Sequence, residues 1–126
     1  MTNPIYSHID KVRDHEVDYA LGVSNARYLE YLQVGRHEWL RSVGIDLAEA
    51  VPVVMRVEID YKKFLTLKDE YRVDITGVRR DGREYLISSD IIELGSGKVS
   101  VSSVTTIVFF NQARRIVKDN ILNLPE

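Results

Sequence analysis

At 126 residues, with 44% hydrophobic and 29% charged side chains, the chain has the composition of one globular domain, 1–126. Its 17 basic and 19 acidic residues leave a net charge of −2, which excludes the basic footprint of a nucleic-acid binder. The lack of cysteine excludes disulfides, thiolate metal sites and a cysteine nucleophile.

In chain order, the opening stretch MTNPIYSHIDKVRD is polar and has no apolar run of the signal-peptide type. No later stretch approaches the roughly 20 apolar residues of a membrane helix. The expectation is a soluble, cytoplasmic protein without a membrane partner. His8 to Val17 carries charge on both faces. It counts as a strand only because an antiparallel meander of four later strands needs an edge partner.

The best helix covers about Ala26 to Val43, where Tyr28, Leu32, Trp39 and Val43 recur near helical spacing. Ser24 or Asn25 can cap its start and Gly44 its end, while Arg36, His37 and Arg41 suit the negative end of its dipole. Gly35 inside the helix predicts a partner packed close against it.

After residue 50 the period changes to two. Val53, Met55, Val57, Ile59 and Tyr61 alternate with charged residues, and so do Tyr71, Val73 and Ile75. Asp81-Gly82, flanked by Arg80 and Arg83, marks a hairpin. Glu84 to Leu94 is apolar on both faces and reads as a central strand. Gly95-Ser96-Gly97 turns the chain into a last strand, Lys98 to Phe110, with an expected bulge at Ser102-Ser103. The class is α+β, a five-stranded antiparallel sheet wrapped around one long helix. One helix cannot cover both faces of such a sheet, so a second subunit is expected, giving a homodimer that pairs into a homotetramer.

The stretch VRDHEVDYALGVSNARYLEYLQVGRHEWLRSVGI resembles the opening of hotdog-fold thioesterases of the 4-hydroxybenzoyl-CoA thioesterase family. The features that carry the likeness are Asp18, the glycine after it, the start Asn25-Ala26-Arg27-Tyr28-Leu29, and Arg36. The wording is closest to the plant and cyanobacterial acyl-thioesterase branch. VEIDYKKFLTLKDEYRV is similar to the family's second and third strands, with Phe64 where a proline is common. Gly22 stands four residues after Asp18, where the family has its glycine at three.

The resemblance implies hydrolysis of an acyl-CoA or acyl carrier protein thioester. Asp18 would attack the carbonyl or activate a water, and the amide of Asn25 would hold the oxyanion. The residues support this chemistry independently in part. A helix N-terminus offers unsatisfied N–H groups and partial positive charge, which stabilise an oxyanion and favour a nearby carboxylate over its acid. Against it stands the commoner use of an aspartate before a helix, as a turn or capping residue. Asp14 and Glu16 read as charges on a solvated strand face.

Tyr28, Tyr31 and Leu32 on the helix, with Met55 and Val57 on a strand, are candidate acyl-pocket walls, although such residues are usually core. Basic residues cluster at Arg79, Arg80 and Arg83, at Arg114-Arg115 and, as a smaller pair, at Lys62-Lys63. The Arg79–Arg83 group is the candidate for carrier phosphates or an acidic carrier protein, although a charged hairpin is usually a solvated turn. His8, His15 and His37 are scattered, so no metal is expected, and no cofactor. GSGKVS lacks the first glycine of a phosphate loop, since Ile92 stands there, and no G-x-S-x-G occurs. The rival readings are a non-catalytic acyl-binding hotdog protein and a hotdog dehydratase or hydratase. The latter usually brings a histidine near the helix start, where this chain has none.

Overall fold

The computed structural model describes residues 3–18 and 22–125. The chain forms β1 (Tyr6–Lys11), a 3-10 turn (Asp14–Glu16), β2 (Val17–Asp18), β3 (Gly22–Val23) and helix α1 (Asn25–Ser42). Four long strands follow: β4 (Val51–Tyr61), β5 (Glu70–Asp81), β6 (Glu84–Glu93) and β7 (Val99–Phe110). The main sheet is antiparallel in the order β1-β5-β6-β7-β4, and β2 and β3 form a separate two-stranded ladder. This is the expected five-stranded sheet with one helix, and β6 takes the expected central place.

The period-two pattern explains which face closes on the helix. Tyr71, Val73 and Ile75 of β5 are buried, as are Tyr85, Ile87 and Ile91 of β6 and Val101, Ile107 and Phe109 of β7. Helix α1 lays Tyr28, Tyr31, Leu32, Gly35, Trp39 and Leu40 against them. Gly35 sets the distance: a Cβ there would stand 2.6 Å from Val73 Cγ1 and 2.9 Å from Val73 Cβ. Any side chain at 35 would push helix and sheet apart. Gly44, at φ +89, ends the helix, and Gly82, at φ +62, turns the β5–β6 hairpin.

On the other face Ser7, Asp74, Asp90, Ser102 and Asp60 stand side by side across all five strands. Asp74 is paired with Arg72 at 2.7 Å. A shallow hollow of about 160 Å³ beside this row is lined by Glu58, Asp60, Ser88, Asp90, Ser102, Ser103 and Val104. The segment after β7 folds back over the hairpin end of the core. Val117 N donates to Phe109 O at 2.8 Å, and the Tyr85 hydroxyl donates to Asp119 O at 3.2 Å.

Several expectations need correction. The first strand is Tyr6–Lys11, not His8 to Val17. The chain leaves it because Val12 turns into the core and Arg13 and Glu16 close a turn, Arg13 N donating to Glu16 Oε1 and Glu16 N to Arg13 O. The last strand has no bulge at Ser102-Ser103. The extra residues are Ser100 in β7, Met55 in β4 and Thr76 in β5. The bulge at Met55 shifts the parity of β4, so Met55 is 57% exposed while Val57 and Ile59 keep the inner face.

Replacing Gly35 with alanine is expected to destabilise the fold, because overpacking costs about 1–3 kcal/mol against roughly 1 kcal/mol gained in helix propensity. Urea denaturation checks this. The double variant Gly35→Ala/Val73→Ala should lose less than the sum of its single variants, since the second change removes the colliding methyl groups.

Candidate active site

Helix α1 opens with Ser24 at the N-cap, in extended conformation at φ −70 and ψ 152. Of the two expected caps, Ser24 or Asn25, Ser24 takes the N-cap position, but its hydroxyl makes no capping bond, and the first turn contains no acid. Arg27 N bonds back to Ser24 O at 3.0 Å. The amides of Asn25 and Ala26 have no partner among the described residues. The positive end of the helix is thus left open rather than neutralised.

Asp18 lies on the same cleft as this opening. A cleft of about 240 Å³ is lined by Asp18, Gly22, Val23, Ser24, Asn25 and Phe64. The β2–β3 ladder places Asp18 there by pairing Val17 with Val23 and Asp18 with Gly22. Leu65, fully buried, anchors the ladder. Its carbonyl accepts from Val23 N at 2.8 Å, and its own N–H donates to the Tyr28 hydroxyl at 2.9 Å. Gly22, at φ +88, has no room for a Cβ, which would collide with the Leu65 carbonyl oxygen.

Phe64 also lines a second, smaller cleft of about 80 Å³ with Tyr28, Tyr61, Lys62 and Lys63. The Tyr61 hydroxyl donates to Asn25 O at 3.2 Å, and its ring meets Tyr28 edge-on at 5.6 Å. Lys63 is held by Glu93 at 2.7 Å. The lysine pair therefore lies nearer the candidate site than the arginines do. Arg79, Arg80 and Arg83 stand around the hairpin at the far end of β5. Tyr71, which packs beside the site, is about 30 Å away along the same strand. Arg80 donates to Lys118 O at 2.7 Å.

Among the candidate pocket walls, Tyr28 reaches the second cleft and Leu32 is core. Neither cleft includes Met55 or Val57. Glu16 reverses its expectation. It is 8% exposed and accepts from the Tyr31 hydroxyl at 2.9 Å, while Asp14 is exposed. Arg36, on the core side of the helix, is 5% exposed, and its Nε has no partner among the described residues.

Residues 12–126 match the family profile of the thioesterase-like superfamily. The chain belongs to that superfamily. A chloroplastic acyl-acyl carrier protein thioesterase of Arabidopsis thaliana is 54% identical over 39 residues, which is 31% of this chain. A second from the same plant is 51% identical over 39 residues. The matched stretch spans only 20% and 21% of these relatives' lengths.

Among solved structures, a 1,4-dihydroxy-2-naphthoyl-CoA thioesterase from Synechocystis aligns with a TM-score of 0.78 at 16% identity, covering 90% of this chain and 88% of that one. A thioesterase from Thermus thermophilus, solved with coenzyme A and zinc, aligns at 0.82 and 23% identity, covering 98% and 94%. A putative thioesterase from Pseudomonas aeruginosa aligns at 0.83 and 21% identity, covering 93% of each chain. At these identities the likeness is one of fold, and it establishes the hotdog architecture.

Three tyrosines of this superfamily member hold their protons tightly. Burial, then the bond to Glu16, pushes the Tyr31 phenol well up. Burial does the same at Tyr71, and at Tyr28 against the opposing Leu65 amide. Above about pH 10 the unfolded chain loses these protons while the folded chain keeps them, so stability falls as pH rises. Arg36 opposes this, because burial pulls its pKa down to about 10, but it is one group against three. Melting temperature is therefore expected to drop between about pH 9 and about pH 11. The drop should be smaller in Tyr31→Phe, with tyrosinate absorbance rising on unfolding.

Proposed function

We propose that the protein is a thioesterase that hydrolyses an acyl-coenzyme A or acyl-acyl carrier protein thioester. The observation that carries this reading is the meeting of Asp18 with an uncapped, acid-free helix N-terminus on one cleft. Superfamily membership supports it.

In the general-base route Asp18 takes a proton from water as the water oxygen adds to the thioester carbonyl carbon. The carbonyl oxygen becomes an oxyanion, held by the Asn25 amide with Ala26 behind it. The oxyanion collapses, the carbon–sulfur bond breaks, and the leaving thiolate takes up the proton that Asp18 accepted, which restores the carboxylate. In the nucleophilic route the Asp18 carboxylate attacks the carbonyl carbon first, the carbon–sulfur bond breaks and the thiolate leaves. Water then cleaves the mixed anhydride to the free acid and the Asp18 carboxylate, and the acid's proton goes to the thiolate. A thioester is already activated, so neither route needs a metal.

Lys62 and Lys63 beside Phe64 suit the phosphates of a pantetheine carrier. Arg79, Arg80 and Arg83 would meet a carrier only across a subunit boundary. This reading includes a homodimer, with pairing of dimers into a tetramer. Support comes from β4, an edge strand whose Val51, Val54, Met55 and Tyr61 are 41–57% exposed. Such an edge invites a partner.

The test is thiol release from hexanoyl-, palmitoyl- and benzoyl-CoA by wild type and Asp18→Asn. Wild-type turnover is expected, with a loss of about a hundredfold or more in the variant. Equal slow release by both would remove Asp18 from its role. Release from an acyl carrier protein ester alone would fix the carrier. Binding of both carriers without any release would favour an acyl-binding protein.

A further inference from the structure

Asp18 stands on a weak platform. Strand β2 has two residues, and its ladder with β3 has two paired positions. On the β3 side the ladder is anchored through Val23 to Leu65, but on the β2 side Asp18 is exposed at its end, and a ladder this short holds such an end weakly. Helix α1 is rigid by contrast, 18 residues long and clamped on β5 at Gly35. A base on a loose arm and donors on a rigid helix hold a reactive geometry only if the arm is tied to the helix.

Among the described residues, one side-chain hydrogen bond joins residues 12–18 to α1. The Tyr31 hydroxyl, on the second turn of the helix, donates to Glu16 Oε1 at 2.9 Å. The same oxygen accepts from Arg13 N at 2.8 Å. Tyr31 is itself fixed, stacked on Tyr71 with ring centres 4.4 Å apart and edge-on to Tyr28 at 6.1 Å. Glu16 is buried with no ion-pair partner among the described residues. A buried, unpaired carboxylate is a poor choice for stability alone, since an apolar side chain of similar size would avoid its desolvation. Its value lies in where it holds the chain, two residues before Asp18.

We propose that Glu16 and Tyr31 are positioning residues for Asp18. The bond from the helix hydroxyl to the buried carboxylate keeps the arm of residues 13–18 in place, so that the Asp18 carboxylate stays at the helix mouth. The proposal rests on the thioesterase reading above. Neither residue touches the substrate or the reacting atoms.

Tyr31→Phe removes the hydroxyl and keeps the ring stack. Glu16→Leu removes the acceptor, and Glu16→Gln keeps one at Oε1. With the three CoA esters, kcat is expected to fall about tenfold to a hundredfold in Tyr31→Phe and Glu16→Leu. KM should stay within about twofold, and Glu16→Gln should recover most of the rate. Amide hydrogen exchange at residues 16–18 should speed up in the two damaging variants while β5 and β6 stay protected. The exchange measurement needs no substrate and holds for either carrier.

Full kcat and unchanged exchange in Tyr31→Phe, beside an inactive Asp18→Asn, would overturn the tether and leave the catalytic reading standing. Asp18→Asn turning over as fast as wild type would overturn that reading instead. A rate loss shared by Glu16→Gln and matched by a lower melting temperature would reduce the pair to ordinary structural residues.

Discussion

The close approach of helix α1 to strand β5 is the constraint on which the rest of the molecule depends. Val73 fills the space a side chain at Gly35 would need, so the helix lies lower over β5 than any other residue at 35 would allow. At that height the Tyr31 ring stacks on Tyr71 two residues along the same strand, and Leu32 and Leu40 reach the sheet. The helix start is then carried to the edge of the core, where Leu65 bridges Tyr28 to Val23. The height at which the helix start meets the short strand bearing Asp18 thus follows from one missing Cβ, while its open amides follow from the unused Ser24 cap.

The fold was legible because period and punctuation agreed. The helix was placed within one residue at each end, since Tyr28, Leu32 and Trp39 mark its buried stripe and Gly44 its end. Both Asp81-Gly82 and Gly95-Ser96-Gly97 turn where their chemistry says they should. The Gly35 contact was legible too, because a glycine mid-helix is hard to explain except by a close neighbour.

What was hidden depends on long-range pairing or local irregularity. Bulges at Met55, Thr76 and Ser100 leave no composition signal, and one of them moves Met55 off the inner face. The arm at residues 12–18 follows no period, because a turn, a buried valine and a buried glutamate interrupt it. Glu16 looks like a solvated charge until Tyr31, 15 residues later, is seen to cover it. Asp18 and Asn25 could be singled out, but only folding shows that Phe64 closes their cleft. For the arginine hairpin the charge was legible, while its place at the far end of β5 from the cleft was not.

The polar row across the outer face constrains how copies of this chain can stack. Ser7, Asp74, Asp90, Ser102 and Asp60 share one line over five strands, and among the described residues only Asp74 of this row has a guanidinium beside it. Two such faces pressed together on a two-fold axis would set carboxylates against carboxylates and strip them of water. Back-to-back sheet contact would therefore have to be wet or cation-bridged, and it would loosen as ionic strength falls. A dry assembly has to grow through the helix side or the strand edges instead.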